Sequence, residues 1–175
     1  MEAISLKAEA VYALVYGLKE VGIDLVASLP SSGSAAAVEA IRNDRAFTHV
    51  AVANEHDAIG ICYGAWLGGK KPALIVESAG LILGSYALLS TTHSFGGFPA
   101  LMIVDYRGDF GDGLIHGYFG YGIQIPKLLE SFQLHYCIVR EASRLVAEIV
   151  RANRTAQTYG KPVAILLSGE EMYAK

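Results

Sequence analysis

The chain has 175 residues, 53% of them hydrophobic and only 18% charged, which gives room for one packed domain and not for two. A formal net charge of −3 without any basic cluster excludes a nucleic-acid footprint, and no apolar run reaches the ~18 residues of a membrane span. Mean hydropathy is +0.36, more apolar surface than a monomer of this size hides, so burial against partner subunits is expected.

Helix and strand patterns alternate along the chain. Apolar residues recur at spacings of three and four over residues 5–20 (SLKAEAVYALVYGLKE), predicting a helix that ends near Gly22. A short apolar run, 23–29, is closed by Pro30, and Ser31 to Ser34 can cap a helix through residue 41. Residues 47–53 read as a strand and Asn54 begins a helix. A buried strand at 72–76 is followed by a helix at 80–91 and a strand at 100–105. A glycine-dense loop then fills 107–123, ahead of a helix at 125–132, a strand at 136–139, a long helix at 142–159 and a last strand at 163–167. The strands are continuously apolar (ALIV, ALMIV, VAILL), as a parallel sheet covered on both faces requires. The expected fold class is α/β, a three-layer α/β/α arrangement around a six-stranded, mostly parallel sheet, in a single domain over residues 1–175. Ligands of such sheets bind beyond the carboxyl ends of the strands, which singles out the loops at 30–34, 54–57, 77–80, 107–122 and 168–171.

Glu55 opens a helix that carries no charge from Ala58 to Gly69. A carboxylate at that end gains from the free amide hydrogens and the helix dipole, so a plain cap competes with a functional role. Glu77-Ser78-Ala79-Gly80 has the strand–turn–helix setting of a hydrolase nucleophile elbow, but Val76 stands where that motif needs its first glycine. A ligand-approaching backbone or a simple turn is therefore expected there. Gly111-Asp112-Gly113 looks like the start of a diphosphate and magnesium motif, yet it follows no buried strand directly and residues 136–142 hold no asparagine, so it reads as a turn. His93 and His116 fall near strand-end loops and are acid/base candidates. No grouping of His, Cys, Asp or Glu has metal-ligand spacing, and Cys62 and Cys137, both in apolar runs, read as reduced core thiols. The first residues lack the charged-then-apolar pattern of a signal peptide, so a cytoplasmic location is expected.

Asn54-Glu55, with Gly64 nine residues after the glutamate across an apolar helix, resembles the N-E-x(8)-G element of thiamine-diphosphate enzymes. Nearly end to end, the sequence is similar to the α subunit of sulfopyruvate decarboxylase and the matching half of phosphonopyruvate decarboxylase. The similarity is carried by residues 8–21, 27–30 and 59–81, by Arg107-Gly108-Asp109, and by 126–132. The resemblance implies a thiamine-diphosphate-binding fold in which this chain is the pyrimidine-binding domain. It implies a lyase subunit, with Glu55 exchanging a proton with the cofactor's aminopyrimidine and a small 2-oxo acid losing carbon dioxide. Pro30, Ser78, Gly80 and Leu81 would line the cofactor, and His116 and His93 are the further catalytic candidates. Thiamine diphosphate and Mg2+ would be held through a β subunit carrying the diphosphate-binding domain with its Gly-Asp-Gly…Asn motif, in an α2β2 or larger assembly.

This sequence departs from the relatives at the substrate loop. Glu77 and Ile82 stand where decarboxylases of acidic substrates carry asparagines, and 90–95 (STTHSF) replaces a more basic stretch. A sulfonate or phosphonate wants arginine, lysine or amide donors, so the 2-oxo acid itself stays open. An acyloin-forming carboligase subunit and a non-catalytic assembly or regulatory subunit are the alternatives, with a small hydrolase centred on Ser78 behind them.

Overall fold

The computed structural model describes residues 5–29, 31–110 and 119–174. Six strands form one parallel sheet: β2 (Leu25–Ser28), β3 (Thr48–Ala51), β4 (Pro72–Glu77), β5 (Leu101–Asp105), β6 (Tyr136–Val139) and β7 (Val163–Leu167). Their order is β3-β2-β4-β5-β7-β6, and every neighbouring pair is parallel. The register places Ala27 beside Leu74, Leu74 beside Met102 and Met102 beside Ala164, so one row of side chains crosses the sheet on one face.

Alternate residues of each strand feed two separate cores. Val26, Ala73, Ile75, Ile103 and Ile165 pack with α1 (Ala8–Glu20), α2 (Ala35–Arg42) and α8 (Ala142–Tyr159). Leu74, Val76, Met102, Val104 and Leu166 pack with α3 (Glu55–Leu67), α4 (Ser78–Leu83), α5 (Ser85–Leu89) and α7 (Gln124–Ser131). Burial on both faces is why these strands are apolar throughout. The expected three-layer α/β/α architecture is the observed one, and the sheet is wholly parallel.

Two departures have physical causes. The helix expected from residue 5 begins at Ala8, because Ser5–Leu6 (β1) pairs antiparallel with Tyr173–Ala174 (β8). The helix expected over 80–91 is α4 and α5 joined at Gly84, followed by a wider π turn over Ser90–Ser94. There the Thr91 and Thr92 hydroxyls donate to the carbonyls of Ala87 and Leu88 at 2.8 and 2.6 Å. The Phe95 N–H reaches back five residues to the Ser90 carbonyl at 3.1 Å. Threonine hydroxyls compete for the backbone carbonyls that a regular helix would use.

Inside the expected loop 107–123, Phe119–Gly122 forms a short helix, α6, while the Gly111-Asp112-Gly113 turn lies outside the described residues. Cys62 and Cys137 are both free, and burial pushes the Cys62 thiol up to about 12. Among the described residues, no helix is long and apolar enough to cross a membrane.

Candidate functional site

The first turn of α3 divides its tasks among three polar side chains. Asn54, in extended conformation, is the cap: its Oδ1 accepts from the Asp57 N–H at 2.8 Å, and its Nδ2 donates to the Asp57 carboxylate at 2.7 Å. The first bond satisfies a free backbone N–H of the helix end, and the second holds the Asn54 side chain in place as the cap. Glu55 is therefore not needed as a cap. Its residue is 6% exposed, and among the described residues its carboxylate has no hydrogen-bond partner. His56 points elsewhere and stacks on Tyr86 of α5, with ring centroids 6.2 Å apart.

The Glu55 side chain lies across the start of α4. A Cβ on Gly80 would collide with the Glu55 carboxyl group, and a Cβ on Gly84 would come within 3.4 Å of the Glu55 Cβ. Glycine at position 80 is what lets a carboxylate rest against that helix. Ser78, fully buried, fastens the same region: its hydroxyl donates to the Asp105 carbonyl at 3.1 Å and accepts from the Arg107 N–H at 3.0 Å. Both bonds are structural and bury the oxygen, which rules out the exposed nucleophile that a hydrolase elbow requires. Leu81 is fully buried in the core beneath.

Of the expected site residues, Glu55, Ser78 and Gly80 gather at the carboxyl ends of β3 and β4. Pro30 and His116 lie outside the described residues. His93 is not brought to Glu55. It sits on the π turn that leads into β5, so it lies at the amino end of the sheet, where its Nε2 and the Phe132 carbonyl are 2.8 Å apart. The helices α4 and α5 run the length of the sheet, and they carry His93 away from Glu55.

Sequence reasoning missed a buried ionic network at the ends of β2 and β5. Asp105, 3% exposed, accepts from Tyr173 Oη at 2.8 Å and Ser31 Oγ at 3.0 Å, and pairs with Arg107 Nε at 2.9 Å. The Arg107 guanidinium lies 4.0 Å from the Tyr173 ring centroid, and one of its terminal nitrogens is buried without a partner. Gly33 lies against this pair, where a Cβ would collide with the Asp105 carboxylate. Asp109 makes a second junction, accepting from Arg140 at 2.6 and 3.0 Å and from Ser168 Oγ at 2.8 Å. The available signal was the alternation Asp105, Arg107, Asp109 at the end of an otherwise apolar strand.

A buried carboxyl group without a protein partner can share a proton with a ring nitrogen of a ligand placed against it. Among the described residues, no group of three or more His, Cys, Asp or Glu side chains could hold a metal ion.

Known proteins give this arrangement a context. The chain is 31% identical over 159 residues to the sulfopyruvate decarboxylase subunit alpha of Methanococcus maripaludis, covering 91% of this chain and 92% of that one. It is 32% identical over 99 residues to the phosphonopyruvate decarboxylase of Streptomyces viridochromogenes, covering 57% of this chain and 25% of that one. In fold, 98% of it matches 31% of a 2-oxoglutarate:ferredoxin oxidoreductase chain from Magnetococcus marinus, solved with 2-oxoglutarate, coenzyme A and succinyl-CoA bound, at a TM-score of 0.71 and 20% identity. No protein-family model matches the sequence. With the first similarity sustained over nearly the whole of both chains, the protein belongs to the family of sulfopyruvate decarboxylase alpha subunits.

Proposed function

We propose that this chain is the pyrimidine-binding subunit of a thiamine-diphosphate-dependent enzyme that decarboxylates a 2-oxo acid. The observation that carries this reading is the Glu55 carboxyl group, buried, relieved of capping by Asn54 and Asp57, and lying against Gly80. Such a group fits a pyrimidine ring nitrogen better than it fits any neighbour in the fold. When bound, the cofactor supplies a nucleophilic carbon and a sink for the electrons released with carbon dioxide.

The chain's own residues would prepare that chemistry. Glu55 would hold a proton at the pyrimidine ring nitrogen. The apolar body of α3 keeps water from the carboxyl group, so that its proton passes to the ligand and not to solvent. Gly80 leaves the space the carboxylate occupies. Ser78 holds the β4–α4 turn to the end of β5, and Leu81 and Pro30 add apolar lining. His116 is proposed to face the substrate, whereas His93, at the far end of the sheet, is left out.

The metal and the diphosphate are assigned to a partner. Supporting this, the relatives of matching length are named subunit alpha, and the chain spans only 25% of a phosphonopyruvate decarboxylase. A single pyrimidine-binding domain over 1–175, in a cytoplasmic α2β2 or larger assembly with a β subunit, is the arrangement proposed. The substrate is a small 2-oxo acid. Glu77 and Ile82 remove amide donors from the substrate loop, which favours one without a sulfonate, and leaves acyloin formation as the second reading.

Replacing Glu55 by Gln in the assembled enzyme tests the proposal. The side chain keeps its shape and loses the exchangeable proton, so turnover should fall by about 10²–10⁴-fold with the fold intact. Turnover within a factor of a few of the original would overturn the role of Glu55. Decarboxylation by the purified chain alone would overturn the need for a partner.

A further inference from the structure

At the carboxyl end of the sheet two walls leave in opposite directions. From β2 the chain turns through 31–34 into α2, which packs in the core of one face. From β4 it turns at Ser78 into α4, which packs in the core of the other. β2 and β4 are neighbours in the sheet, so the loops that follow them diverge and open a crevice, the place where sheets of this kind take ligands. Glu55 rests against Gly80 on the α4 side of it.

Both walls are bonded to one residue at the end of β5. The Asp105 carbonyl accepts from the buried Ser78 hydroxyl at 3.1 Å, and the Asp105 carboxylate accepts from Ser31 Oγ at 3.0 Å. That arrangement saturates Ser31. Its single hydrogen goes to Asp105, and its lone pairs accept from the Ser34 N–H at 3.2 Å and the Ser34 hydroxyl at 2.8 Å. Ser34 immediately precedes α2, so one hydroxyl fixes the turn into that helix. Gly33 lacks the side chain that would strike Asp105 and Arg107, and its carbonyl accepts from the Leu6 N–H at 2.9 Å. Stability alone does not account for this junction. Asp105 and Arg107 are both buried, and one Arg107 nitrogen has no partner among the described residues. A buried ion pair seldom adds stability over apolar packing of the same volume, and an orphan buried donor subtracts from it.

We propose that Asp105 is a positioning residue: through Ser31 it holds the 31–34 loop at a set distance from the Ser78 turn, and so fixes the width of the crevice in which a ligand meets Glu55. Arg107 supplies the counter-charge for the buried carboxylate. This rests on the reading that Glu55 serves the aminopyrimidine of thiamine diphosphate. A ring in the crevice has Glu55 on one side and the 31–34 loop on the other. A loop free to swing leaves the ring without a defined place beside the carboxyl group.

Ser31→Ala is the test, because it removes the pin and leaves the buried ion pair in place, while Ser31→Thr keeps the hydroxyl. Asp24→Ala is the control: the Asp24 carboxylate accepts from the Lys71 N–H at 2.8 Å, a tie between the starts of β2 and β4 at the opposite end of the sheet. In the chain alone, hydrogen exchange over 31–38 should speed up about tenfold in Ser31→Ala, which loses a bond to a charged acceptor, and stay within about twofold of wild type in the other two. The second measurement uses the assembly that copurifies with this chain, titrated with thiamine diphosphate and Mg2+. Ser31→Ala should weaken cofactor binding about fivefold or more, Ser31→Thr should restore it, and Asp24→Ala should change it less than about twofold. Unchanged exchange over 31–38 in Ser31→Ala would show that the loop is held in another way and would overturn the proposal. Unchanged cofactor affinity, an equal loss in Asp24→Ala, or no restoration by Ser31→Thr would overturn it as well, leaving the junction a purely structural one. The cofactor reading fails separately: a wild-type assembly that binds no thiamine diphosphate removes that reading, while the exchange data still decide whether Asp105 holds the loop.

Discussion

The contact between Glu55 and Gly80 can be measured without a partner subunit. Gly80 lies within α4, so alanine there gains about 1 kcal/mol of helix propensity. Its Cβ, however, would overlap the carboxyl oxygen, Cδ and Cγ of Glu55, all of them side-chain atoms that Glu55→Ala removes. Overpacking of this kind costs about 1–3 kcal/mol, with the lower end reached if Glu55 turns away. Gly80→Ala should then be neutral to about 2 kcal/mol destabilising in the wild-type chain, and stabilising by about 1 kcal/mol in Glu55→Ala. The coupling in the double-mutant cycle is therefore about 1–3 kcal/mol, well above the ~0.5 kcal/mol at which independent sites add. Urea denaturation of the four chains gives it directly. A cycle that closes within that margin would show that the carboxylate does not rest on Gly80, and would remove the geometric basis of the site. If Glu55 serves a cofactor as proposed, Gly80→Ala should also lower turnover of the assembled enzyme by up to about 10²-fold, because it displaces that carboxyl group.

Three further outcomes follow from the described contacts. Asp105→Ala leaves the Arg107 guanidinium buried without its counter-charge, and should cost about 3–5 kcal/mol in urea denaturation. Asn54→Ala removes the cap of α3 and should cost about 1 kcal/mol by the same assay. His49 is held below its ordinary 6.5, first by burial and then by the nearby Arg42 guanidinium, so the folded chain takes up that proton later than the unfolded one. Its contribution to stability is complete above pH 6.5 and shrinks as pH falls from there toward the folded value. His49→Gln should flatten thermal stability over that window, and an unchanged slope would refute the assignment.

The fold could be read from the sequence where burial imposes a pattern. Strands β4 and β5 are apolar at every position but the last, and β7 at every position, because both faces of the sheet are covered, and their length separates them from helices. What escaped was structure without a period. The two-residue strands β1 and β8 are too short to show alternation, and their pairing joins residues near opposite ends of the sequence. The π turn at Ser90–Ser94 depends on which carbonyls the Thr91 and Thr92 hydroxyls take, and spacing alone does not encode that choice. The same turn sets where His93 lies. A histidine close to a strand in sequence can lie at either end of the sheet, and only the direction of the preceding helix decides which.

The candidate site was readable in part for a different reason. Glu55 stood out because its helix is otherwise uncharged, but capping was an equally good account until Asn54 and Asp57 were seen to close the helix end together. The absence of charge after Glu55 carried a second message that periodicity could not separate from the first. A helix apolar on every side is expected to be buried on every side. Here α3 is buried by the sheet on one side and leaves Gly60, Gly64 and Leu67 open on the other. On the proposed reading, a carboxyl group that shares a proton needs a dry setting, and this chain alone already leaves Glu55 only 6% exposed.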